Sequence, residues 1–397
     1  MKILVDGGTC GSGGYLHHLR GVLNAQPPSD LQITLLVSAR LAERLGPFGE
    51  HVRVVRPPEL DHPGRAVRRR WWFTGFPSLV REVGSDVLLH EHGLVRGRAP
   101  GVPRAVIHHN PTPFAAETYR LYGLSAASAH FLATRQRLVA GMRRADGVVF
   151  LHESCREQIT RQVRGIRATT VIGHGTPARY LDLPRAARAT LPAAPRILCV
   201  TTQFLFRYQW NVVHAVCDLR DQTGIGLRLD LVGGGDAPTA RRVAAAVRER
   251  RATGFVTVHG DVPAQRMPEL YASGDVFVFP SGQETYGITL LEAMACGLPI
   301  ACSDRMPLPD ILRDAGVYFD PAHVAGMTAA LRTLLADGDL RVRLGGLAQT
   351  YARQHLWQDS ADQLFAFLRD LIPPASRGSV PEARRPLGAP PGLGTRP

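Results

Sequence analysis

Asp275-Val-Phe-Val-Phe-Pro-Ser-Gly-Gln-Glu284-Thr-Tyr-Gly-Ile-Thr-Leu-Leu-Glu292-Ala-Met-Ala-Cys-Gly-Leu-Pro299 reads as a strand, a turn and a helix in immediate succession. Four consecutive apolar residues after Asp275 fit a strand buried on both faces, and Pro280 stops it. The apolar run from Ile288 to Cys296, closed by Gly297 and Pro299, fits a helix with a glycine stop. Two carboxylates eight residues apart therefore bracket a helix start. Free backbone amides and the helix dipole at such a start favour a diphosphate. Glu284 in the loop can then meet sugar hydroxyls, and Glu292, about one turn inside, can accept from ribose hydroxyls. Taken alone, the same helix is equally an ordinary core helix.

Outward from this stretch, short Val/Ile/Leu-rich runs alternate with amphipathic ones, the pattern of βα units around parallel sheets. In the first half the expected strands are Ile3–Val5, Ile33–Val37, Arg53–Val55, Val87–Leu89, Ala105–Ile107, Gly147–Phe150 and Thr170–Ile172. Helical stretches include Tyr15–Ala25, His130–Met142 and Glu153–Arg164. A Pro/Ala-rich passage separates these from a second series at Arg196–Val200, Leu227–Val232, Val256–Val258, Val276–Phe279, Pro299–Cys302 and Val317–Phe319. The expectation is α/β, with one Rossmann-like domain over 1–180, a linker over 181–195 and a second over 196–355. A final helix falls within 356–372, and the Pro/Gly-rich tail 373–397 is expected to be disordered.

The chain has 397 residues, 45% hydrophobic and 20% charged, enough for two cored domains. No apolar run approaches the ~18 residues that span a bilayer. Met1-Lys-Ile-Leu-Val-Asp6 reads as a strand rather than a signal peptide, so a cytoplasmic location is expected, peripheral to the inner membrane face at most. The six cysteines show no metal-site or C-x-x-C spacing and read as reduced thiols. Net charge is +13, and residues 1–170 hold 23 Lys plus Arg against 13 Asp plus Glu. An anionic partner for the first half is compatible with this, although arginine excess also follows from a GC-rich genome. Lys2 is the only lysine. That excludes a P-loop lysine and a lysine Schiff base, and leaves phosphate recognition to arginine or backbone amides.

Pro280-Ser281, Glu284-x-Tyr-Gly287, Leu291–Pro299 and Ala315-Gly-Val-Tyr-Phe-Asp-Pro321 resemble, in order and spacing, the donor region of GT-B retaining glycosyltransferases of the group 1, family 4-like type. They include the two glutamates of the E-x7-E motif. The resemblance is strong over 270–321 and loose over most of 1–370. It implies two Rossmann-like domains facing a cleft, a final helix that crosses back to the first domain, and transfer of a hexose-type sugar from a nucleotide diphosphate sugar to a hydroxyl acceptor. It also implies retention at the anomeric carbon and no essential metal or other cofactor. Tyr286, Gly287, Ile288 and Thr289 fall on the donor-binding turn, beside Glu284 and Glu292.

Elsewhere the signals are shorter. Asp6-Gly-Gly-Thr-Cys-Gly-Ser-Gly-Gly14 is a glycine loop between a strand and a helix, lacking both the last glycine of G-x-G-x-x-G and a P-loop lysine. The resemblance places Gly13 and Gly14 near the donor phosphate, and Gly11 and Ser12 on the acceptor side. A catalytic Cys10 and a plain structural turn are alternatives. His109 and Asn110 end a strand, in His-His-Asn-Pro-Thr-Pro-Phe114, where open α/β sheets keep ligands. They match a family histidine that contacts the donor sugar, with His108 one residue away; Asn110 is assigned to the acceptor side.

Arg207 is the one cation between Arg196 and Arg220. It aligns with a family lysine on the diphosphate, while the second family cation has no match in that segment. Gly234, in Gly-Gly-Gly-Asp236, and His259 resemble turns bordering the nucleotide. Asp310 stands where the family often has glutamate. The candidate catalytic set is thus His109, Glu284 and Arg207.

Two rival readings remain. His90-Glu-His92, with His108, His109, His174 and Asp275, can be read as ligands of a metal-dependent hydrolase; a GT-B epimerase or a silent nucleotide-binding module shares the fold. Arg65–Phe73 joins four arginines to three aromatics, either a solvated face over buried rings or an anion-binding patch at the acceptor side. A nucleic-acid partner is not expected, and the oligomeric state and acceptor (saccharide, glycolipid precursor or cyclitol-like natural product) are open.

Overall fold

Both series of apolar runs pair in parallel, and each builds one twisted sheet. The structure is a computed structural model, described over residues 1–8, 14–183 and 187–374. Gly11, Ser12 and Gly13, Cys10, and the tail from 375 onward lie outside the described residues.

The first sheet comprises β1 (Lys2–Gly8), β2 (Gln32–Val37), β3 (Val52–Val55), β4 (Val87–His90), β5 (Arg104–His108), β6 (Gly147–Phe150) and β7 (Ala168–Val171). Their order is β3-β2-β1-β4-β5-β6-β7. The second comprises β8 (Arg196–Val200), β9 (Arg228–Val232), β10 (Val256–Gly260), β11 (Val276–Phe279), β12 (Ile300–Ser303) and β13 (Gly316–Phe319), ordered β10-β9-β8-β11-β12-β13. The central strands are apolar on both faces because helices cover both, so Val276–Phe279 is wholly buried. In each sheet the winding reverses beside its first strand, between β1 and β4 and between β8 and β11. Crevices open outside the carboxyl ends of strands at such reversals.

The helix Trp357–Leu371 leaves the second half and packs on the helix Gly14–Asn24. Gln26 and Gln358 exchange amide hydrogen bonds at 2.9 Å, and Arg369 pairs with Asp30 at 2.7 Å. Gly175 allows the close approach, because a β-carbon there would stand 2.3 Å from the Trp357 backbone nitrogen. One buried apolar cluster accordingly runs from Ile3 and Leu19 in the first half through Leu290 and Met294 to Leu364 and Leu368.

Arg65–Phe73 opens a helix, Arg65–Val83, despite Gly75 and Pro77. Trp71 is buried, whereas Phe73 is 56% exposed. This segment lines a cavity of about 840 Å³ with Arg96, Arg98, Arg104, Arg144 and Arg167. Arg104 opens β5, while Asp146 and Arg167 immediately precede β6 and β7, so the cavity sits at the amino ends of these strands. His109 lies at the carboxyl end of β5; the arginine patch is therefore not in the crevice. The five described cysteines are free, buried thiols.

Candidate functional site

The second sheet contributes the loops after β8 and β11. Arg207 ends a single helical turn after β8, and Glu284 lies in the loop after β11. The Arg207 guanidinium contacts the Glu284 carboxylate and the Ser281 hydroxyl. Both partners of this pair are largely shielded, at 16% and 11% exposure. Burial alone lowers the Arg207 pKa to about 10. Gly287, at φ 108°, turns the chain into the helix Ile288–Ala295, and no side chain caps that helix start. Gly14, which opens the facing helix, comes close to it: a β-carbon on Gly14 would stand 3.5 Å from Ile288 Cδ1.

Glu292 is buried, at 3% exposure. Tyr271 donates its hydroxyl to Glu292 Oε2 at 2.9 Å, and Arg179 stands 3.7 Å from Oε1. His17 Nδ1 is 3.9 Å from the same oxygen. Desolvation raises the Glu292 pKa to about 7 against the opposing pull of Tyr271 and Arg179. Tyr286 points away from the loop into the junction of the two halves, where its hydroxyl meets His355 Nδ1 at 2.9 Å. Its ring packs edge-on against His174. Thr289 is half-buried and its carbonyl accepts from Tyr271 at 3.3 Å.

The first sheet contributes histidines. His109 follows β5, 13% exposed, with Nε2 at 3.5 Å from Glu91 Oε2. The same oxygen lies 3.2 Å from His18 Nδ1. His174 stacks on His109 with centroids 6.0 Å apart. Burial lowers the pKa of His109 and of His174, so both rings are neutral at pH 7. His108 is fully buried behind them, between Phe114 and Phe150. Asn110 turns its side chain to the Thr112 amide at 3.2 Å, within its own loop.

The proposed hydrolase ligands are not gathered. His90 is tied to Asp6 at 2.9 Å, His92 packs by Gly8 and Tyr15, and Asp275 holds the Arg196 amide and Arg188. Among the described residues, His18, Glu91 and His109 form the group whose candidate ligand atoms all lie within 4.8 Å. That trio was not the set the sequence suggested.

Gly234 and His259 lie at the carboxyl ends of β9 and β10. The Gly234 amide donates to Asp261 at 2.8 Å, and His259 Nε2 meets Asp230 at 2.6 Å, so both carry structural partners. Asp310 is 54% exposed and reaches across to His152 Nε2 at 3.4 Å. Sequence reasoning missed His18, Arg179 and Tyr271. Each sits on a helix whose face is decided by packing, and no spacing marks them; Glu91 was inside a quoted triplet but carried no role.

Residues 194–337 match the family described as Glycosyl transferases group 1. The chain is 38% identical over 112 residues to the O-antigen chain mannosyltransferase B of Escherichia coli, a match covering 28% of this chain and 29% of that protein. It therefore spans less than a third of that relative's length. Among solved structures, sucrose-phosphate synthase from Thermosynechococcus elongatus superposes with a TM-score of 0.74 at 20% identity, over 94% of this chain and 99% of that one. Anabaena HepE, solved in complex with UDP-glucose, gives 0.69 at 16% identity, over 93% and 100%. These likenesses identify the fold as GT-B.

Proposed function

We propose that this chain, a group 1 protein of the GT-B fold, is a retaining glycosyltransferase that moves a sugar from a nucleotide diphosphate sugar to an acceptor hydroxyl. The observation that carries the reading is the Arg207–Glu284 pair beside the uncapped helix start at Gly287, facing the first half across the crevice. On donor binding, Arg207 and the helix-start amides take the diphosphate and stabilise its charge as it leaves. Glu284, released from Arg207, accepts from sugar hydroxyls, and Glu292 accepts from ribose. His109 meets the sugar from the opposite wall. The acceptor hydroxyl approaches from the first half and attacks on the face the diphosphate departs from, which gives retention. This chemistry asks for no metal, because arginine and amides neutralise the leaving group.

HepE's complex with UDP-glucose supports a nucleotide sugar as donor. The D-inositol 3-phosphate glycosyltransferases among the relatives support a polyol hydroxyl as acceptor class. The test is a matrix of nucleotide sugars and acceptors read by mass spectrometry, with the product anomer assigned by NMR. Nucleotide diphosphate release that collapses on Glu292→Ala, with the donor's anomeric configuration kept, is the expected result. No release from any donor with diverse acceptors, or an inverted product, defeats the reading.

A further inference from the structure

We propose that Glu91 is a positioning residue for this transfer: its carboxylate fixes the proton on His109 Nε2 and on His18 Nδ1, and places an uncancelled negative charge behind the sugar-facing imidazole. The inference rests on the transferase reading of the crevice.

Glu91 follows β4 at the reversal of the first sheet, and its amide is locked to the Asp6 carbonyl at 3.2 Å. It is fully buried, where an unpaired carboxylate is expensive. Yet its ion-pair contacts among the described residues are two histidines, with no arginine. A carboxylate only accepts hydrogen bonds, so His18 Nδ1, hydrogen-bonded to Oε2 at 3.2 Å, carries its hydrogen, and His109 Nε2, 3.5 Å from the same oxygen and without another hydrogen-bond partner among the described residues, is placed to turn its own hydrogen toward it. These contacts hold the Glu91 pKa at about 2 despite burial. The carboxylate is therefore charged, and the His109 ring beside it, its pKa lowered by burial, faces it as a neutral imidazole. Among the described residues, Oε1 has no hydrogen-bond partner.

Packing keeps the arrangement rigid. Tyr15, His18 and His174 crowd the His109 ring, with centroids 6.3, 5.2 and 6.0 Å away, and Trp357 backs His18 at 5.9 Å. As the diphosphate leaves, its bond to the anomeric carbon breaks with the electron pair on the departing oxygen, and positive charge grows on the sugar. A fixed anion one imidazole away stabilises that charge without reorganisation. Held so, His109 presents one tautomer to the donor rather than two.

The experiment uses the full chain and Glu91→Gln, which keeps shape and removes charge. Turnover is expected to fall about 100-fold, while donor KM and nucleoside diphosphate affinity stay within about threefold. Long-range 15N NMR of histidine-labelled protein should show His109 as a single Nε2–H tautomer in the wild type and a mixture in the variant. If the glutamine variant does not fold, Glu91→Asp keeps the charge at shorter reach and should lose about tenfold in turnover with the tautomer retained. Turnover of Glu91→Gln within about threefold of wild type, or an unchanged tautomer, overturns the proposal. A stoichiometric metal on His18, Glu91 and His109 also overturns it, since both nitrogens would then face the ion unprotonated. Should the wild type transfer no sugar, the transferase reading fails, and the tautomer comparison still decides whether Glu91 sets the protons.

Discussion

Arg179 stands 3.7 Å from Glu292, although it lies just after the first sheet and Glu292 lies inside the second half. In the proposed transfer the loop after β8 supplies one cation, Arg207, where a departing diphosphate would carry more charge than one guanidinium neutralises. Arg179, half-exposed and close to the helix Ile288–Ala295, is placed to supply the second. Arg179→Ala is expected to weaken nucleoside diphosphate binding about tenfold, and to leave the affinity for the bare nucleoside within about twofold. Calorimetry with both ligands checks it. An equal loss for both would show that Arg179 acts only by holding Glu292.

Burial raises the Glu292 carboxyl pKa to about 7 in the folded state, from 4.5, so between these values the folded protein keeps a proton that the unfolded chain has lost. Stability attributable to this group therefore falls as pH rises from about 4.5 to 7, then levels. Glu292→Gln has no such titration. Its unfolding free energy should exceed that of the wild type by about 1–3 kcal/mol at pH 8 and match it near pH 4.5, read by urea denaturation. With Glu292 accepting from ribose as proposed, the ionised carboxylate is the better acceptor, so wild-type donor KM should fall as pH rises through about 7, and this dependence should vanish in the glutamine variant.

The strands were legible because parallel, doubly covered strands must be apolar throughout, and Val276-Phe-Val-Phe279 or Gly147-Val-Val-Phe150 admit no other reading. Glu284 and His109 were legible for a related reason: they stand where a strand ends and the chain must turn. The helix Arg65–Val83 was not, since a run of arginines followed by Gly75 and Pro77 has no helical signature of its own and forms over the buried Trp71 and Phe76. Glu91 and Arg179 acquire roles only through partners 73 residues away or in the other half of the chain. Periodicity carries no information about such pairings.

On the proposed function, the Arg207–Glu284 contact opposes donor binding, because each group must leave the other to meet its ligand. Glu284→Gln frees the guanidinium, so nucleoside diphosphate should bind a few-fold tighter while turnover drops about 100-fold for want of the sugar contact. Arg207→Ala should instead weaken nucleoside diphosphate binding and turnover together. It leaves a buried carboxylate unpaired and should destabilise the fold by about 3 kcal/mol, measured by chemical denaturation. A glutamine variant with weaker diphosphate binding would mean that Glu284 positions Arg207 rather than restraining it.

Trp357 joins stability to the site. Its ring fills the space above Gly21 and Gly175, where any β-carbon would collide with it, and it walls His18 and His174 at 5.9 and 5.5 Å. Trp357→Ala leaves a void between the C-terminal helix and the first half, and should cost about 3 kcal/mol, toward the low end for a large ring because the residue is only half-buried. The void also frees His18 to rotate away from Glu91. Turnover at a temperature where the variant is fully folded should therefore fall, by about tenfold, with nucleoside diphosphate affinity unchanged, since Arg207 and the helix start at Gly287 lie on the other wall. Trp357→Phe retains most of the packing and should recover the larger part of both losses. A variant that is destabilised yet turns over normally would separate the crossing helix from the histidine wall and confine its role to holding the halves together.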